Sequence, residues 1–243
     1  MKNKESGWHW SVVFFVMTMG LALFSWVGHL YGWEPVQSLL SEEGIRWAMN
    51  HVVGDYVQCP ALSIVLLMFM GVGIGIRGGL YDAIRRIWGK GMSLSGKERR
   101  SLMLSLVVGV GYALVVFFSV PYLKSVTDTL LHSPFQKGFI YILSFGLGLM
   151  GLVYGYASNH FLSIGQVIEA MAHLISRKAN YFVSLFFIVQ FFSALSYTHF
   201  PEWMGLNTTF VDILFQVCCF LPLFFPSKPL QKICTSANRK ESY

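Results

Sequence analysis

Residues Ser133 to Phe200 read SPFQKGFIYILSFGLGLMGLVYGYASNHFLSIGQVIEAMAHLISRKANYFVSLFFIVQFFSALSYTHF. Within them Phe139 to Ala157 carries no charge over 19 residues, which at 1.5 Å per helical residue is about 29 Å, the thickness of a bilayer's hydrocarbon core. That segment is long enough to span. The next piece differs: Ile164, Val167, Ile168, Met171, Leu174 and Ile175 recur at helical spacing, while Gln166, Glu169, His173 and Arg177 fall elsewhere on the wheel. Such a pattern is an amphipathic helix lying at a membrane surface or against the protein. Tyr181 to Tyr197 is apolar again and fits a second span. The order is span, surface helix, span.

Composition extends this reading to the whole chain. Of 243 residues, 54% are hydrophobic and only 12% charged, against roughly 25% charged in a soluble domain, and the mean hydropathy is +0.54. An integral membrane protein follows. A formal charge of +6 is then explained by membrane topology before nucleic acid, which is set aside as a partner. Trp8 to Tyr31 is too long for a signal-peptide core and is expected to remain as a span.

The expected fold is therefore all-α and polytopic. Spans are placed near 12–31, 56–76, 102–122, 139–157, 181–197 and 209–225, with one or two amphipathic surface helices. They form a single transmembrane domain over 1–230, followed by a basic tail at 231–243. Fifteen of the 18 Lys and Arg fall on one side of this arrangement; only Arg46, Lys124 and Lys137 fall on the other. The positive-inside rule then puts both termini in the cytoplasm. Glu34 to Asp55 is expected as a short external re-entrant or surface helix, and Arg85 to Arg100 as a basic cytoplasmic loop.

Gly71, Gly75 and Gly79 stand four residues apart in the second span, the spacing that lets helix backbones approach closely. Glycine is also common in membrane helices, and that reading stands beside the first. Gln190 and Gln216, with Ser193 and Ser196, are polar side chains within spans, suited to hydrogen bonds between helices, and the two glutamines are also candidates for a substrate or ion site. Asp212 is an acidic group at the edge of a span and so a candidate on an ion path. A helix-cap role with Thr208 or Thr209 is the alternative.

No GxSxG, HExxH, Walker A or paired-carboxylate spacing occurs, and an intramembrane hydrolase needs a nucleophile with a base at depth. The chain is thus not expected to be an enzyme. The four cysteines lack CxxC spacing and the seven histidines share no helix face, so neither a metal site nor a cofactor is expected.

The run SPFQKGFIYILSFGLGLMGLVYGYAS, the surface helix IGQVIEAMAHLI and YFVSLFFIVQFFSALSY with its Gln190–Phe191 pair resemble the middle of the aminobenzoyl-glutamate transporter (AbgT) family. Upstream, GIRWAMNHVVGDYVQCPALSIVLLMFMGVGIGIRGGLYDAI resembles that family's G-I-R-W-M run, its Pro-led span and its G-x-G…G-L signature. The resemblance implies inner-membrane transport of aminobenzoyl-glutamate or a related small organic anion with a coupling ion, by a homodimer. Two family motifs that carry substrate contacts, a serine-rich stretch with S-D-A-G-Y and a G-S-x-S-A-K-W stretch, are absent. The alternative is a transport-incompetent membrane scaffold or accessory subunit that kept the family's helical frame.

Overall fold

The computed structural model describes residues 9–90, 95–123 and 134–225; the basic tail expected at 231–243 lies outside them. Every regular element described is helical. In chain order they are α1 (Trp10–Leu30), α2 (Glu42–Gln58), α3 (Pro60–Arg77), α4 (Leu80–Lys90) and α5 (Gly96–Ser119) with a short 3-10 turn (Val120–Leu123). After these come α6 (Pro134–Ala157), α7 (Ile164–Arg177), α8 (Ala179–Tyr197), α9 (Phe200–Trp203) and α10 (Thr208–Phe224). Among the described residues, five segments are long and apolar enough to cross a membrane: Trp10–Leu30, Glu42–Arg77, Gly96–Ser119, Gly138–Ala157 and Ala179–Tyr197. Thr208–Phe224 is a shorter apolar helix. The protein is a multi-pass membrane protein.

Two departures from expectation concern the polar segments. Glu42–Gln58, in the stretch expected as a short re-entrant or surface helix, is a helix of 17 residues that continues past Asp55 to within one residue of α3. Likewise the start of the basic segment is helical: α4 buries Leu80 and Ala83 against Tyr154 while Arg85, Arg86 and Trp88 stay exposed. An amphipathic helix satisfies its own backbone, which a loop beside a membrane does not.

The chain divides into two compact units, residues 1–62 with 180–243 and residues 63–179. In the first, α8 is the centre, with Leu185 and Ile188 fully buried. Phe14 and Phe15 of α1 meet Phe191 and Phe187 edge-on at 5.8 and 5.7 Å, and Phe215 of α10 meets Phe192 at 5.3 Å. Such aromatic pairs add about 0.5–1.5 kcal/mol beyond the area they bury. At one end of α1 and α8, Trp33 stacks on Trp203 at 4.8 Å with Phe24 and Phe200 alongside, the residue types that prefer a membrane interface.

In the second unit α6 is the centre, and small residues set its contacts. The Ser105 hydroxyl of α5 donates to the Met150 carbonyl, and Tyr112 to that of Ile142, both at 2.9 Å. On another face, a Cβ built on Gly151 would lie 2.7 Å from the Gly75 Cα, and one on Gly71 would run into the Ser144 backbone. α7 lies across α3, Ala170 against Gly73, closing a cluster of Ile74, Phe161, Val167 and Ala170. Between membrane helices, packing and hydrogen bonds replace the hydrophobic drive, so backbones must come close.

Candidate functional site

The site begins with a helix that stops and restarts. Pro60 has no N–H to continue α2, and the residue before a proline is pushed toward extended backbone. Cys59 accordingly sits at φ −62°, ψ 118°. Pro60 then opens α3, a position where the missing donor costs nothing. The Leu62 amide donates to the Cys59 carbonyl at 3.1 Å, and the Cys59 sulfur lies against the thiol of Cys219 on α10. A discontinuous helix inside a membrane protein is where transporters of other folds build their sites.

Immediately before the break, polar groups of α2 face α8. The Ser193 hydroxyl donates to Asp55 Oδ2. One turn earlier on each helix, Gln190 Nε2 donates to the Val52 carbonyl at 2.7 Å, which orients the amide. Tyr56 donates to the Phe182 carbonyl at 3.2 Å and packs edge-on against Phe186. Asp55, Gln190 and Ser193 are all half-buried. A carboxylate that accepts from one hydroxyl keeps further lone pairs free as acceptors at the edge of the break.

Of the residues nominated from sequence, Gln190 belongs to this seam. Asp212 and Gln216 do not: they stand one turn apart on the exposed face of α10 and, among the described residues, make no side-chain hydrogen bond. No hydrogen bond joins any two of the three. The cap of α10 is Asn207, whose side chain accepts from the Thr209 amide at 3.2 Å. Gly71 faces Ser144 and Gly75 faces Gly151. Gly79 lies past the end of α3 in the turn to α4, at φ +82° with His160 beside it, so the backbone there asks for glycine by its conformation.

Asp55 is the site residue that sequence reasoning missed. The expectation of an external segment over Glu34 to Asp55 leaves that carboxylate out of the candidate residues. The signal was present in the 17-residue helical run ending only at Cys59–Pro60, where the pre-proline residue marks the boundary.

No curated protein matches this chain in sequence. Among solved structures, the YdaH transporter of Alcanivorax borkumensis superposes with a TM-score of 0.67 at 14% identity, covering 81% of this chain and 74% of that one. At that identity the likeness is one of fold. The family model described as the AbgT putative transporter family matches residues 88–224. That range takes in α5 through α10 and more than half of the sequence, and the chain therefore belongs to the AbgT family, a relationship that supports a membrane-transport function.

Proposed function

We propose that this protein takes part in moving a small organic anion of the aminobenzoyl-glutamate class across the cytoplasmic membrane, with Asp55 as the site of the coupling cation or proton. Family membership supports the class of function and the reading as a transporter without catalysis. The observation that carries the assignment of a site is the hydrogen bond from Ser193 to Asp55 one turn before the α2–α3 break. An ionisable residue among membrane helices is costly to place and is a functional candidate by default. The proposed orientation has both termini in the cytoplasm, following the bias of Lys and Arg, and the proposed assembly is a homodimer.

The test is uptake of labelled aminobenzoyl-glutamate into proteoliposomes containing the purified protein. Saturable flux that falls at least tenfold in Asp55→Asn, with the variant still eluting as a folded species, is the expected result. Absence of flux together with constant co-purification of another membrane protein would instead assign the scaffold role.

A further inference from the structure

Where α3 crosses α6, close approach of the backbones leaves a furrow beside the contact. Its lining includes Gly71 and Gly148 at the helix crossing, Met70 and Phe145 beside them and Met171 of α7 near Ile74, and its volume is about 310 Å³. That is at the lower end of the ~300–1,000 Å³ range of pockets that hold a discrete ligand. Phe145 is half exposed along it. The furrow offers almost nothing to water: Ser144 lines it, but its hydroxyl is already donated to the Leu67 carbonyl, and Tyr141 is the other polar side chain present. A buried water needs two to four polar partners. An apolar chain is the chemistry that fits.

A charge stands beyond one end of the furrow, Arg77, three residues past Ile74 on α3. Leu67, Met70, Gly71 and Ile74 line the furrow from α3, and the same i, i+3, i+4 stripe continues to Arg77. From Leu67 to Ile74 the stripe is about 10 Å long. Arg77 is exposed, in the last turn of α3, and makes no ion pair among the described residues. A long basic side chain at a helix end reaches for the headgroup layer while its stem follows the apolar surface, and basic residues between membrane helices hold anionic headgroups.

We propose that this furrow binds one acyl chain of an anionic phospholipid, with the headgroup resting on Arg77. The glycines in its lining then have a second use: they bring α3 and α6 together and leave a channel of acyl-chain depth. Gly148 is the place to fill it, since a Cβ there meets only Ile74 Cδ1 at 3.4 Å and the Gly71 Cα at 3.5 Å, so added side-chain bulk enters the channel.

The test uses the full chain purified in mild detergent and supplied with phosphatidylglycerol or phosphatidylcholine bearing a photoactivatable group in one acyl chain. Labelled peptides are mapped, and bound lipid is counted by native mass spectrometry. One retained phosphatidylglycerol is expected, with label concentrated in α3 and α6. Gly148→Leu and, independently, Met70→Trp are expected to cut that label at least tenfold. Arg77→Gln, at an exposed position, is expected to keep the labelled peptides and bring the preference for phosphatidylglycerol over phosphatidylcholine close to one. Label spread evenly over all the exposed helices would overturn the proposal. So would label unchanged in the folded filler variant, a lipid preference unmoved by Arg77→Gln, or a second copy of the chain cross-linked over the furrow.

Discussion

The side-chain amide of Gln190 donates to the backbone carbonyl of Val52 across 2.7 Å, tying α8 to α2 two turns before the break at Pro60. Hydrogen bonds of this kind between membrane helices contribute about 0.6–2 kcal/mol. Gln190→Leu is therefore expected to lower the melting temperature in detergent by several degrees, while Ser196→Ala, on the exposed face of the same helix, leaves it unchanged. Equal melting of both variants would show that the α2–α8 seam does not hold the first unit together.

Two glycines at one crossing should respond differently to the same added methyl. A Cβ on Gly151 would sit 2.7 Å from the Gly75 Cα and from its amide nitrogen, whereas a Cβ on Gly75 would meet nothing within 4 Å. Gly151→Ala is expected to cost about 1–3 kcal/mol from overpacking. Gly75→Ala is expected to be neutral or slightly stabilising, since alanine is favoured over glycine in a helix by up to about 1 kcal/mol. Thermal unfolding of the two single variants, side by side, reads the difference.

Gly79 makes a third case, in which space is not the main issue. Its φ of +82° places an L-residue in the left-handed region, and a Cβ would lie 3.0 Å from His160 Nε2. Gly79→Ala is expected to destabilise by about 1–2 kcal/mol, and His160→Ala in the same chain should recover only the steric part. Full recovery would place the whole cost on the imidazole contact.

The two acidic candidates separate by flux. Asp55 is half-buried and accepts from Ser193, while Asp212 is exposed on α10. In proteoliposomes Asp55→Asn is expected to abolish coupled uptake, Ser193→Ala to reduce it several-fold, and Asp212→Asn to leave it within twofold of the parent. Loss of uptake in Asp212→Asn alone would move the proposed cation site to the face of α10.

The helical architecture was legible in the amino-acid order because runs such as Phe139 to Ala157 hold no charge over a bilayer's thickness, and any such run in lipid must satisfy its backbone internally as a helix. The amphipathic period of Ile164 to Ile175 likewise announced α7, and the motifs around it announced the family. Partners were another matter. Which glycine touches which backbone depends on where two helices cross, so Gly71, Gly75 and Gly79 look alike in sequence, yet one meets Ser144, one meets Gly151 and one turns the chain. Asp55 became a site residue only when α2, polar enough to pass for an external segment, was laid against α8. Local hydrophobicity sets how long a helix is and which medium it tolerates. Neighbours 138 positions away, as Ser193 is from Asp55, are chosen by packing between helices, which no single stretch of sequence contains.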